Sequence, residues 1–192
     1  MPQPKHLTAV RVRPLPRRKL GEDMQKYFAA CEQKLGHLPN VLKAYSFCDA
    51  RLRNFATFYN ELMLGESGLS RVEREMIAVV VSAANRCFYC LVAHGAALRQ
   101  MSGDPELGEL LVLNHRVARL PKRQRAMLDF AHKLTVTPAE VGDADRDRLR
   151  KAGLGEREIW DVCEVTAFFN FTNRLATATD MMPNAHYHAE AR

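Results

Sequence analysis

The sequence predicts an all-α fold, and three observations carry that prediction. No segment of useful length alternates apolar and polar residues at period two, although "VVV" at 79–81 taken alone reads as strand. Apolar residues recur instead at spacings of three and four, the pattern of a helix with one buried face. The segments so patterned are divided by short runs of Gly, Pro, Asn and Ser, such as "GHLPN" and "GESGLS". With 192 residues, 47% of them apolar, the chain fits one domain or one domain plus an arm, and it can bury a sizeable core.

The elements follow in order. Glu22 to Leu35 has helical spacing, and the next segment supplies a Gly stop, a Pro and an Asn start signal. Val41 to Leu64 reads as one long helix or two shorter ones. Ser70 can cap the following helix, with Glu73 at the capping-box position. This helix runs apolar from Met76 to Ala84, so it is expected to be buried on most sides. Asn85 and Arg86 form the break before another helix, from Cys87 to about Met101. Pro105 to His115, Pro121 to Leu134, Asp143 to Lys151 and Glu156 to about Thr179 complete the set.

An internal echo suggests a duplicated helical unit. "EREMIAVVVSAANRCFYC" at 73–90 superposes on "EREIWDVCEVTAFFNFTN" at 156–173 with a shift of 83 residues. The shift sets Glu75 on Glu158, Cys87 on Asn170 and Cys90 on Asn173, while "NFATFY" at 54–59 resembles "DFAHKL" at 129–134. Only the first copy keeps the thiols. The two asparagines are therefore expected to cap or bridge helices, and Glu158 to sit in a place equivalent to Glu75.

Charge and punctuation exclude several classes. The formal charge of +6 is concentrated in Lys5, Arg11, Arg13, Arg17, Arg18 and Lys19, before the first acid at Glu22. The rest is near neutral, unlike the basic face of a nucleic-acid-binding domain. Residues 1–20 carry four prolines and no apolar core, so they read as an extended basic arm rather than a transit or signal peptide, with the domain proper at 21–192. Arg86 and His94 interrupt the longest apolar run, which argues against a membrane span. Five cysteines at low density suggest a reducing, cytoplasmic home. There the sequon Asn170-Phe171-Thr172 reads as an accident of composition.

If Cys87 opens a helix, then Cys87, Cys90, His94, Leu98 and Met101 share one face. Free N–H groups in a first turn and the nearby charge of Arg86 are expected to lower at least one thiol pKa. Other readings of these residues stay open. The two cysteines and the histidine can be core filling. A zinc site needs a fourth ligand, for which His115, His132 or Glu75 is available. A static disulfide fits the inferred compartment poorly.

The pattern Glu75-x11-Cys87-x2-Cys90-x3-His94 resembles the signature of the alkylhydroperoxidase D (AhpD)-like branch of the carboxymuconolactone decarboxylase superfamily. "GHLPNVLKAYS", "LSRVEREMIAVVVSAANRCFYCLVAH", "FAHKLT" and "FFNFTNRLA" resemble its peroxidase-related subgroup, over roughly residues 30–185. The resemblance implies an all-helical fold assembled as trimers or hexamers. It implies a hydroperoxide substrate, no cofactor, and a thiol electron donor such as a lipoylated or thioredoxin-like protein. Glu75 and His94 are expected to form a proton relay to the cysteines. In AhpD proper a His precedes the second cysteine, where this chain has Tyr89.

Two arguments divide the roles of the pair. Position at the helix start favours Cys87 as the lower-pKa thiol. The four-residue spacing sets Cys90 against His94, and the resemblance agrees, so Cys90 is expected to attack peroxide and Cys87 to resolve the sulfenic acid and meet the donor. Two rivals remain: a decarboxylase or isomerase using Glu75 and His94 as acid and base, and a non-enzymatic redox sensor. The arm and the tail "MMPNAHYH" are expected to reach neighbouring subunits.

Overall fold

The computed structural model describes residues 2–192, and among them the regular structure is entirely helical. The order is α1 (Glu22–Leu35), α2 (Asn40–Tyr45), α3 (Asp49–Leu64), α4 (Arg71–Ala84), α5 (Phe88–Ser102), α6 (Pro105–Asn114), α7 (Lys122–Val136), α8 (Asp143–Lys151) and α9 (Glu156–Ala178), with short 3-10 turns between some of them. The stretch read as one helix or two is divided into α2 and α3. No helix is long and apolar enough to cross a membrane among these residues.

The centre of the fold is α4. Every residue from Glu73 to Ser82 is buried, because α5, α6, α7 and α9 all pack around this one helix. Its start is set locally, as expected: Ser70 Oγ accepts the N–H of Glu73 at 3.2 Å, and the Glu73 carboxylate accepts the N–H of Ser70 at 2.8 Å. Such a cap contributes about 1 kcal/mol. Met76, Ile77, Val80 and Val81 then meet Leu98, Leu111, Leu128, Val162 and Phe169 in the main core. A second apolar cluster lies under α1, α2 and α3, and a third encloses Cys87 and Cys90.

The echo does not persist as a repeated break. Residues 73–90 bend between α4 and α5, whereas 156–173 lie in the single continuous helix α9. Nor does Glu158 occupy a place like that of Glu75. It accepts the N–H of Gly155 at 2.6 Å at the start of α9, so its counterpart is the capping residue Glu73, and Arg123 of α7 pairs with both carboxylates. Helix-start chemistry fixes Glu158, and that chemistry depends on distance from the N-terminus rather than on the best sequence superposition.

Residues 2–16 form no regular element and Arg17–Lys19 make a short 3-10 turn, and this segment docks on its own domain. Ala9 N–H donates to Thr179 O at 2.8 Å, Met182 N–H to Leu7 O at 3.0 Å, and Leu15 N–H to Ser46 O at 3.0 Å. Leu20, the last residue of the expected arm, is buried in the cluster under α1 to α3. The tail docks as well: Arg99 of α5 donates to the carbonyls of Tyr187 and Glu190, and Asn40 to that of Met182. Backbone groups of the two termini satisfy one another here, a long-range pairing that composition does not encode.

Candidate active site

The corner between α4 and α5 builds the site. Arg86 has φ +52°, left-handed and unusual for a residue with a Cβ. Arg86 N–H donates to Ala83 O at 3.1 Å and Cys87 N–H to Ser82 O at 3.0 Å. These two bonds are the Schellman pattern that ends a helix. Cys87 therefore closes α4 and at once serves as N-cap of α5, with φ −79° and ψ 105°. The contribution of Arg86 is this turn. Its side chain is exposed, and the charge felt at Cys87 is that of His94.

All five cysteines are free thiols, and Cys87 and Cys90 are the two that are buried, at 0% and 3% exposure. The pair is electrostatically unequal. Cys87 is drawn down to about 6, first by the hydrogen bond from the Cys90 thiol. Burial opposes this, while the Cys90 backbone N–H, the Thr177 hydroxyl and the charge of His94 assist. Cys90 is pushed well above the usual thiol value by its bond to Cys87, by burial and by the Cys87 charge; Asn173 and Ser82 act in the opposite sense. The resting negative charge thus sits on Cys87. This runs against the expectation that Cys90, four residues before His94, is the activated thiol. The spacing argument treats both cysteines as points on one helical lattice, whereas Cys87 lies off it in extended conformation.

Glu75 and His94 meet as expected. Glu75 projects from α4 and accepts the Nδ1–H of His94 on α5 at 2.7 Å, with both side chains largely buried. That bond fixes the ring and leaves Nε2 to exchange protons. Phe169 packs edge-on against the imidazole at 4.6 Å between centroids, and Tyr59 lies 6.5 Å away. Burial, and after it the Glu75 charge, raises the Tyr59 hydroxyl well above its ordinary value.

The other residues are placed elsewhere. Tyr89 is buried, and its hydroxyl accepts the N–H of Val41 at 2.9 Å, so it anchors the start of α2. His115 and His132 stand together, 5.2 Å between centroids, and line a separate cavity of about 270 Å³ with Val80 and Leu111. His115 there bonds Asp129 at 3.0 Å. The fourth ligand that a zinc site requires is not gathered at the thiols: among the described residues no three His, Cys, Asp or Glu are grouped to hold a metal. Ser82, Asn173 and Thr177 touch the cysteines, and sequence reasoning passed over all three as site residues. Asn173 was visible as the echo partner of Cys90, but its contact spans helices far apart in sequence.

Comparison with known proteins agrees with this architecture. Residues 51–133 match the model of the carboxymuconolactone decarboxylase family. A peroxidase-related protein from Silicibacter sp. TM1040 is similar at 59% identity over 100% of both chains, with a TM-score of 0.93. A second, from Ralstonia eutropha JMP134 and described as an alkylhydroperoxidase AhpD core, is 37% identical over 97% of both chains, with a TM-score of 0.91. The debrominase Bmp8 shares the fold at 20% identity, covering 94% of this chain and 95% of that one, with a TM-score of 0.78. Among curated proteins none matches. The chain belongs to the carboxymuconolactone decarboxylase superfamily, as a member of its AhpD-like, peroxidase-related branch.

Proposed function

We propose that the protein is a thiol-dependent peroxidase that reduces hydrogen peroxide or an organic hydroperoxide through Cys87 and Cys90, with His94 and Glu75 as the proton relay. The observation that carries this reading is the unequal thiol pair: one sulfur at about pKa 6, hydrogen-bonded by its neighbour and close to a carboxylate-held histidine. A nucleophile ionised at neutral pH beside a proton carrier is what peroxide cleavage requires.

The Cys87 thiolate attacks the terminal peroxide oxygen and the O–O bond breaks. The departing alkoxide takes a proton, delivered from His94 Nε2, and Cys87 becomes a sulfenic acid. The Cys90 thiol then displaces the hydroxyl, leaving as water with the thiol proton, and the disulfide closes. Two electrons from an external dithiol, such as a lipoylated or thioredoxin-like protein, restore the reduced pair. Glu75 keeps His94 aligned while the alkoxide departs.

The test is stopped-flow mixing of the fully reduced protein with hydrogen peroxide and tert-butyl hydroperoxide, with thiols counted before and after. Loss of two thiols per chain with stoichiometric alcohol or water is expected. Disulfide formation without turnover in the presence of a dithiol would indicate a redox sensor instead. A lactone decarboxylase or isomerase activity surviving replacement of both cysteines would assign the chemistry to Glu75 and His94 alone.

A further inference from the structure

Behind Cys90 lies a partly buried chain of side chains that the peroxide step does not use. Asn85 Nδ2 donates to Asn170 Oδ1 at 3.1 Å and to Asn173 Oδ1 at 3.0 Å, and Asn173 Nδ2 donates to Ser82 Oγ at 3.0 Å. Ser82 and Asn173 are both buried beside the Cys90 sulfur, and their side chains act on it in the sense that favours its anion. A buried polar network is costly unless satisfied, so its directionality carries information.

The direction is set at the far end. Asn170 Nδ2 faces the backbone carbonyl of Thr166 at 3.0 Å, which can only accept, and Arg174, which can only donate, faces Asn170 Oδ1 at 2.6 Å. These two partners fix which way the Asn170 amide points. Its oxygen must then receive a donor from Asn85, so Asn85 presents its NH2 group to both neighbours. Asn173 consequently turns its oxygen to Asn85 and its NH2 group to Ser82 and Cys90. Ser82 accepts from Asn173, and its one hydroxyl proton is left for the sulfur. Every orientation in the chain follows from one carbonyl and one guanidinium, and the result is two donors aimed at Cys90.

Two donors on a sulfur stabilise its anion. In the reduced resting pair that anion is absent from Cys90, because Cys87 holds the charge. We propose that Ser82 and Asn173 are positioning residues for the second half of the thiol cycle, holding the Cys90 sulfur as a thiolate once Cys87 has lost its charge to peroxide. The inference rests on the peroxidase reading. In the closing step Cys90 first gives up its proton; the thiolate so formed makes the S–S bond as the S–O bond of the Cys87 sulfenic acid breaks, and the departing hydroxide takes up a proton to leave as water, Cys90 being oxidised and Cys87 reduced to the disulfide level. In the reductive step an external thiolate attacks the Cys87 sulfur, the S–S bond breaks, and Cys90 departs with the electron pair as a thiolate held by the same donors. A second thiolate of the reductant then frees Cys87.

The test separates the two phases after peroxide addition. Loss of thiolate absorbance near 240 nm follows the first, and dimedone-sensitive sulfenic acid, decaying to disulfide, follows the second. In wild type the rate of the second phase rises with pH to the midpoint of Cys90 ionisation. A lost hydrogen bond to a charged group corresponds to roughly one unit of pKa or more. Ser82→Ala and Asn173→Leu are therefore expected to move that midpoint up by about one unit and, at neutral pH, to slow disulfide closure about tenfold more than they slow the first phase. An unmoved midpoint overturns the proposal. Should either variant fail to fold, Cys87→Ala decides: without the neighbouring charge, Cys90 should titrate near or below the ordinary thiol value of about 8.5 despite its burial, and a value remaining well above it overturns the proposal. Absence of any sulfenic acid or disulfide in wild type after peroxide addition would instead remove the peroxidase reading on which the proposal rests.

Discussion

Cys90 stands against Cys87, and a hydrogen bond from its thiol is the foremost of several influences that draw the first cysteine down while the second is pushed up. A serine at position 90 can still donate such a bond. Cys90→Ser should therefore retain a reactive Cys87, consume about one equivalent of peroxide and accumulate a dimedone-labelled sulfenic acid there. Cys87→Ser should react slowly. Mass spectrometry of the labelled peptides checks both, and label on Cys90 alone would restore the assignment that the four-residue spacing to His94 suggests.

The bond of 2.7 Å between His94 Nδ1 and Glu75 holds the proton carrier in place. Removing His94 takes away the acid that protonates the departing alkoxide, and removing the Glu75 carboxylate leaves the ring misaligned. His94→Ala and Glu75→Gln should each slow peroxide cleavage by roughly 10²-fold, the usual scale of general acid assistance. The thiols should remain alkylatable in both. Stopped-flow rates beside iodoacetamide rates distinguish loss of the relay from loss of the fold.

What the sequence disclosed, and what it withheld, divides along range. Ser70, Glu73, Gly36 and the Asn85–Arg86 break act within one turn of themselves, so their roles are legible in the local text. Glu75 is different, because both Glu73 and Glu75 lie beside apolar stripes and only resemblance to the family chooses between them. Cys87 was placed at the right break, but its role as closing residue of α4 takes it off the lattice on which spacing arguments operate. Asn173 was noted as the echo of Cys90, yet its bond to Ser82 joins α9 to α4, and nothing local announces it. The docking of residues 7–9 on 179–182 was hidden for the same reason: extended backbone advertises no partner.

Peroxide reactivity should follow the ionisation of Cys87. Because its folded-state value of about 6 lies below the usual thiol value, the rate should climb through pH 6 and level off above pH 7. The linked stability has a definite sign. A depressed pKa means the thiolate favours folding, so the contribution is full above the unfolded thiol value of about 8.5 and is lost as pH falls toward 6. Urea midpoints of wild type and Cys87→Ala should differ most at alkaline pH and converge near pH 5. A constant difference across that range would show that the thiolate is not stabilised by the fold.

Trp160 and Phe171 stand eleven positions apart on α9, three helical turns, and so share one face, where they are 66% and 56% exposed. Leu113, in the last turn of α6, is 82% exposed. Aromatic side chains so exposed are expected to be covered by a second copy of the chain. Light scattering at micromolar concentration should give a mass well above one chain, and Trp160→Glu should lower it. A monomer would remove the expectation.

The docked termini make a last prediction, because they lie over the thiols. Leu7 packs against the cluster that contains Cys87, Cys90 and Met181, and Leu7 O accepts the N–H of Met182. Beside it a small apolar slot of about 60 Å³ runs between Val10 and Val12 of the arm and Ala44, Tyr45 and Met181. With Cys87 at 0% exposure, a reagent reaches the sulfur only when the structure around it opens, and this cover is the expected point of opening. Opening is then a local equilibrium, and reaction at low reagent concentration measures the open fraction. Leu7 is itself only partly buried, so Leu7→Ala should cost the closed state about 1 kcal/mol, which corresponds to roughly a fivefold rise in that fraction. Iodoacetamide modification of Cys87 should accelerate by that factor while the melting temperature changes little. If truncating Leu7 leaves the rate unchanged, access lies elsewhere; if it accelerates the rate and deleting residues 2–12 accelerates it further, the arm is the gate.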